Sequence, residues 1–211
     1  IANNFVENTS NTEDKWKSFI NSYETSLWWI YNKKLNLSLN YSNSYRLPKT
    51  DEYFSVWTGL NNNLKPQFTK QLSLNTKYLL SPKYTLMITL FNMHTENVIF
   101  YDPTTWTNSN YDSTLRNGIE LETSLKPISL IDTNISYSYI NAKFDKGVFN
   151  GYEIPSVPQN ILNWHLKFNF TELLTLNFFT KYVGERKFMN DIDGKYGKLE
   201  SYVVTDTKLI F

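Results

Sequence analysis

One pattern constrains this chain more than any other: apolar and polar residues change places every second position over segments of about ten residues, the length a tilted strand needs to cross an outer membrane. Between Leu35 and Tyr45, Leu35, Leu37, Leu39 and Tyr41 share one parity, while Asn36, Ser38, Asn40, Ser42 and Ser44 share the other. Thr133, Ile135, Tyr137 and Tyr139 oppose Asp132, Asn134, Ser136 and Ser138, and Leu162, Trp164, Leu166, Phe168 and Phe170 oppose Asn163, His165, Lys167 and Asn169. The same split recurs at Leu72, Leu74, Thr76 and Tyr78 and at Leu174, Leu176 and Phe178. A period of two places such sets on opposite faces of a strand. Strands of soluble sandwiches usually run about five or six residues. Longer ones with one apolar and one polar face fit a barrel wall, with lipid outside and water inside. The inner face is expected to be polar throughout.

Nine strands are predicted, over 17–31, 34–45, 67–80, 83–101, 114–126, 129–143, 159–170, 173–186 and 200–211. Short turns at Asn32-Lys33, Ser81-Pro82, Pro127-Ile128 and Thr171-Glu172 rotate with long connections at 46–66, 102–113, 144–158 and 187–199. The fold class is therefore all-β, an antiparallel transmembrane β-barrel meander. Outer-membrane barrels keep short turns in the periplasm and longer loops outside the cell, so the long set is expected at the exterior. Trp29, Tyr31, Tyr78 and Tyr84 flank the short turns, where an interfacial aromatic girdle sits; ordinary strand aromatics are the alternative. Nine strands do not give the even-stranded closed barrel of single-chain bacterial examples, and an open edge leaves backbone groups unsatisfied in lipid. Partners for the first and last strands are expected from elsewhere.

Bulk properties narrow the function. Of 211 residues, 21 are basic and 20 acidic, with no basic stripe to follow a phosphate backbone, so nucleic acid is not an expected partner. Cysteine is absent, which removes disulfide scaffolds, thiolate metal sites and cysteine nucleophiles. No apolar run approaches the roughly 18 residues of a spanning helix, and no secretory leader is evident at the start. The first residue, Ile1, is not methionine, which suggests a mature or truncated piece. Mean hydropathy is negative, as expected when only every second residue of a strand meets lipid.

Several segments, taken in order, resemble the TonB-dependent outer-membrane receptors. Ser44-Tyr45-Arg46-Leu47-Pro48 with Glu52 is similar to that family's strand end, and Asn63-Leu64-Lys65-Pro66 to its strand re-entry. Leu90-Phe91-Asn92 with Val98-Ile99, then Asn117-Gly118-Ile119-Glu120-Leu121-Glu122, resemble the strands that follow. Ser136-Tyr137-Ser138-Tyr139, Ile154-Pro155 with Pro158, Tyr182-Val183-Gly184 with Arg186, and Tyr202 through Asp206 fit the remaining hairpins. The chain departs from the pattern at Gln67, where the family usually has glutamate, and at Ser73 and Asn75. These departures bear on ligand subtype more than on fold. By analogy with cobalamin and siderophore receptors, the nine strands correspond to strands twelve to twenty of a 22-stranded barrel. Residues 1–211 are then one partial barrel domain, with the N-terminal plug, the TonB box and the terminal strands absent. Alternatively Phe211 is a true barrel end, since Val203, Thr205, Thr207, Leu209 and Phe211 share one parity.

Convergent acid, base or nucleophile groups are not evident, so no catalytic residues are expected. His94 and His165 stand on separate strands, which disfavours a metal site. Glu120 and Glu122 read as adjacent acids of the lumen wall rather than a catalytic pair. Arg46 and Glu52 read as a structural pair. Aromatics on the long connections are more suggestive, because they are costly to expose and often supply contact area. Tyr53, Trp57, Trp106, Tyr111, Phe149 and Tyr152 are the ligand-binding candidates; packing on one another or on lipopolysaccharide is the other reading.

The resemblance implies a receptor and transporter fragment of the Gram-negative outer membrane, serving energy-coupled uptake of a scarce nutrient such as an iron-siderophore or cobalamin. It implies outer-membrane lipid, lipopolysaccharide and a small nutrient as partners, and the TonB complex through a segment this chain lacks. No cofactor and no enzymatic activity are expected. The rival is a passive porin or channel whose lumen groups Lys167, Lys181, Glu120 and Glu122 set ion preference.

Overall fold

The structure, a computed structural model, describes residues 2–7, 13–18, 21–55, 59–102, 105–189 and 191–211. Nine antiparallel strands form one sheet in meander order. They are β1 (Tyr23–Ile30), β2 (Leu35–Arg46), β3 (Gln67–Ser81), β4 (Tyr84–Asp102), β5 (Thr107–Ile128), β6 (Ile131–Phe144), β7 (Asn160–Asn169), β8 (Thr175–Val183) and β9 (Tyr202–Ile210). Among the described residues, the two ends of the sheet, β1 and β9, each have one unpaired side.

Register carries the sequence parity across the whole sheet. Trp29, Leu37, Thr76, Ile88, Leu121, Tyr137, Leu162, Tyr182 and Val203 are successive register partners, one from each strand. The neighbouring row on the opposite face reads Ile30, Asn36, Lys77, Met87, Glu122, Ser136, Asn163, Lys181 and Val204. One face is thus a continuous apolar belt. Trp29, Tyr78 and Tyr84 lie on it beside the short turns, and the rings of Trp29 and Tyr31 meet edge-on at 5.7 Å.

The opposite face is polar, and hydrogen bonds cross its strands. Asn75 Nδ2 donates to Ser38 Oγ at 3.2 Å and Thr89 Oγ1 donates to Asn75 Oδ1 at 2.9 Å, a rung over three strands. The expectation of a wholly polar inner face is corrected, however: Met87, Phe91, Met93, Ile140, Phe179 and Val204 share its parity. Phe91 has a local cause. It lies opposite Gly118, and a Cβ there would come 2.9 Å from Phe91 Cζ and into the Tyr139 carbonyl. The ring covers backbone that a side chain would otherwise shield.

Side-chain oxygens close the short turns. Asn32 Oδ1 accepts from Lys34 N at 2.7 Å and Leu35 N at 2.9 Å, Ser81 Oγ from Lys83 N at 3.2 Å, and Thr171 Oγ1 from Leu174 N at 2.9 Å. Such oxygens replace strand partners that the reversing backbone loses.

Several boundaries differ from expectation. The first strand of the sheet starts at Tyr23 rather than 17, because Glu13–Ser18 pairs instead with Ala2–Glu7 in a separate hairpin. The third turn falls at Ser129-Leu130 rather than Pro127-Ile128, beside a register shift between Ile131 and Thr133. The long connection expected at 102–113 is replaced by strand: β4 reaches Asp102, β5 begins at Thr107, and pairing continues from Val98 with Tyr111 to Asp102 with Thr107. Thr107 to Ser113 is too polar to alternate, so its backbone pairing was hidden from a hydrophobic pattern.

The Gly118 site gives a test. Gly118→Val is expected to cost about 3 kcal/mol by forcing Phe91 and the β6 backbone apart, whereas Asn32→Ala, which loses a turn oxygen, should cost about 1 kcal/mol. Urea unfolding of the detergent-solubilised barrel, followed by tryptophan fluorescence, measures both.

Candidate functional site

The long connections, 47–66, 145–159 and 184–201, emerge at one end of the sheet, together with the β4–β5 overhang. Polar side chains bonded to backbone fasten 47–66 and 184–201, and side-chain pairs fasten 145–159, which explains how segments with few apolar residues keep a shape.

In connection 47–66 a single helical turn, α1 (Thr50–Tyr53), is held at its base by Glu52. The Glu52 carboxylate accepts from Lys49 N at 2.8 Å and from Arg46 Nη1 at 2.6 and 2.9 Å. Asparagines then dock the segment on the overhang. Lys65 N donates to Asn110 Oδ1 at 2.7 Å, Asn110 Nδ2 donates to Asn97 O at 2.7 Å, and Asn108 Nδ2 donates to Glu52 O at 3.2 Å. Asn97 takes φ of +54°, a left-handed conformation that asparagine tolerates better than most residues.

Connection 145–159 turns back over β5. Phe144, 2% exposed, joins Tyr111, Phe149 and Phe100 in an aromatic cluster. Tyr111 meets Phe149 at 5.3 Å and Phe144 at 5.5 Å, both edge-on, the arrangement aromatic quadrupoles favour. Burial pushes the Tyr111 phenol above its ordinary range, and the Asp102 carboxylate adds to this. At the start of the connection, Asp145 accepts from Ser113 Oγ and pairs with His94 Nε2 at 3.2 Å. Gly147, at φ +73°, lies against the Asp112 carboxylate, where a Cβ has no room.

Connection 184–201 is organised by Asp191, 2% exposed, whose carboxylate accepts from Lys195 N at 2.8 Å and Tyr196 N at 3.1 Å. It interlocks with 145–159. Lys198 Nζ donates to Glu185 Oε1 at 2.7 Å and lies 4.0 Å from Glu153 Oε2; the Glu185 bond, with both carboxylates nearby, raises the ammonium above its ordinary range. Lys187 Nζ stands 5.6 Å from the Tyr152 ring centre and donates to Ile192 O at 2.8 Å.

The five sequence candidates among the described residues do not meet in one pocket. Tyr111 and Phe149 come together, but as members of a packed cluster, and Tyr111 lies on a strand rather than in a loop. Tyr53 ends α1, and its carbonyl accepts from Asn61 N at 2.8 Å. Trp106 is 66% exposed at the tip of the overhang, and Tyr152 is 43% exposed beneath Lys187. Trp57 lies outside the described residues. Sequence reasoning missed the Asp145–His94 pair and the Lys187–Tyr152 pair, since both join residues far apart in the chain.

A concavity of about 600 Å³ lies along the polar face from β5 to β9. Glu122, Asn134, Asn163, Lys181 and Asp206 line it around a His165 ring stacked on Phe179 at 4.3 Å. His165 also faces Asn177 Oδ1 at 3.1 Å. Among the described residues no group of three or more histidine, cysteine or carboxylate side chains is arranged to hold a metal.

A family model described as "TonB dependent receptor-like, beta-barrel" matches residues 3–210. Among solved structures, the chain is similar to the ferric-catecholate import receptor Fiu from E. coli K12, at 18% identity and TM-score 0.71, over 94% of this chain and 29% of that one. It is similar to the ferric yersiniabactin uptake receptor FyuA from Yersinia pestis, at 18% identity and TM-score 0.69, over 88% and 29%. It is also similar to the siderophore receptor PirA from Acinetobacter baumannii, at 15% identity and TM-score 0.68, over 95% and 35%. The chain thus spans about a third of the length of these structures, and at such identities the likeness shows the fold. No curated protein sequence matches it.

Packed and presented aromatics should separate on mutation. Phe144→Ala is expected to cost about 3 kcal/mol and to expose 145–152 to protease, while Trp106→Ala should leave stability within about 0.5 kcal/mol. Urea titration with limited proteolysis distinguishes them.

Proposed function

Since the chain belongs to the family of TonB-dependent receptor β-barrels, we propose that it forms part of the wall and the ligand-facing loops of a receptor that imports a scarce, bulky nutrient across the outer membrane of a Gram-negative bacterium. The observation that carries this reading is the family match over residues 3–210, on a sheet with one continuous apolar face and its long connections at a single end. The belt meets lipid. The unpaired sides of β1 and β9 then pair with further strands of the barrel, because backbone groups find no partner in hydrocarbon.

The long-connection end supports a binding role. Trp106 and Tyr152 offer rings to solvent, Lys187 places a cation over one of them, and Tyr111 and Phe149 brace the loop that carries Tyr152. Flat surface beside fixed positive charge suits a large anionic or aromatic chelate. A ferric siderophore is the proposed cargo, in keeping with what the similar structures are said to take up; cobalamin is its competitor in the test. No covalent step is involved. The energy for release comes through TonB acting on a plug, and this wall supplies the path.

Fluorescence titration of the purified outer-membrane protein that carries this segment, with ferric siderophores and cobalamin, tests the reading. Saturable binding of a ferric chelate is expected, weakened about tenfold by Trp106→Ala. A steady open conductance in planar bilayers, with no saturable ligand, would overturn it in favour of a passive channel.

A further inference from the structure

We infer that His94 and Asp145 form a proton-operated fastening for the connection that carries Phe149 and Tyr152, so that mild acid holds this loop down and alkali loosens it. The ligand-facing role of the loop rests on the function proposed above; the fastening does not.

The geometry is specific. Asp145 is the first residue after β6, and its carboxylate has two partners on neighbouring strands: Ser113 Oγ on β5 and His94 Nε2 on β4, the latter at 3.2 Å. Asp145 N also donates to Ser113 O at 3.3 Å. The second nitrogen of the same imidazole, Nδ1, faces Glu96 Oε1 at 3.8 Å. A carboxylate thus stands at each ring nitrogen. A neutral imidazole carries one N–H and serves one of them as donor, whereas the imidazolium carries two and serves both.

Every neighbouring element contributes to the balance. β4 itself supplies Glu96, and β3 places the exposed Lys70 directly opposite His94. β5 supplies the apolar Leu115 opposite His94 and Ser113 opposite Glu96, with Asp112 against Gly147. β6 places Lys143 opposite Leu115, and the connection supplies Asp145. Glu96 and Asp145 thus face the ring nitrogens, and Lys70 and Lys143 are the bases on the flanking strands. A protonated imidazole places positive charge between the two carboxylates, and the fastening is then tightest. Loss of that proton as pH rises takes the bond to Asp145 from charge-assisted to neutral.

Position turns this bond into a control on the loop. Asp145 sits where the chain leaves the sheet, two residues before Gly147, and Gly151 N returns to Phe144 O at 2.8 Å. Releasing Asp145 frees the entry to the turn while the aromatic cluster still holds Phe149. His94 therefore acts as a positioning residue for Tyr152, not as a ligand contact.

Val148, 87% exposed at the tip of the turn, is a site for a spin label through Val148→Cys, and this sequence holds no other cysteine. In the detergent-solubilised outer-membrane protein that carries this segment, electron paramagnetic resonance should show the mobile fraction of the label falling about tenfold between about pH 8 and about pH 5.5, the gain of one charge-assisted bond. His94→Gln, which hydrogen-bonds but does not charge, should flatten that profile. Ser113→Ala should raise mobility at both values and keep the slope. A flat profile in the labelled parent, or the same slope in His94→Gln, overturns the fastening. No ligand enters the measurement, so failure to find a cargo leaves it untouched.

Discussion

The structure depends on one constraint: lipid offers no hydrogen-bond partner to backbone, so each strand that crosses it must take its partners from neighbouring strands. That requirement explains why the ladder runs through nine strands with two register shifts, between Leu79 and Ser81 and between Ile131 and Thr133. Both lie beside short turns, at the ends of their strands. A slip within the belt would move a whole strand's side chains to the other face and set lysines such as Lys77 and Lys181 in lipid. Side-chain parity and backbone pairing are thus enforced together, and the row from Trp29 to Val203 is their joint result.

Beyond the membrane the constraint changes sign, because water is available and pairing is optional. There the chain uses polar side chains to hold backbone. Asn97, Asn108 and Asn110 tie connection 47–66 to the overhang and Asp191 gathers connection 184–201, while Asp145 anchors 145–159 through the side chains of Ser113 and His94. Amide and carboxylate groups do this well because one side chain bonds two backbone groups in fixed geometry. They also carry little apolar signal. The segment most altered from its expected form, 102–113, is the one where asparagine docking and continued strand pairing coincide.

This contrast sets what was legible in the sequence. Strands β2, β3, β6 and β7 were readable within a few residues because their alternation is clean, and the family resemblance rested on spacing that the meander preserves. The inner-face exceptions were not readable. Phe91 is explained by Gly118, 27 positions away, and no local pattern joins them. The candidate site was half legible: composition flagged aromatics on the connections, yet whether a ring packs or presents depends on neighbours from other loops. Tyr111 and Phe149 look like Trp106 and Tyr152 in sequence, and only contact with Phe144 separates the two kinds.

That separation bears on how such an end of a barrel can bind anything. A loop rich in glycine and polar residues pays a large ordering cost when it closes on a ligand. Packing Tyr111, Phe144 and Phe149 beneath the surface meets part of that cost during folding, so the rings left outside are held by a base that is already ordered. The arrangement also divides labour between chemistries. Edge-on and tilted aromatics fix where connection 145–159 rests, while polar pairs, Asp145 with His94 at its entry and Glu153 with Lys198 midway, set how firmly it is held there. Hydrophobic packing responds weakly to pH and salt, whereas charged pairs respond to both. A loop built this way keeps its resting position across conditions, while its freedom to move follows the medium outside the membrane.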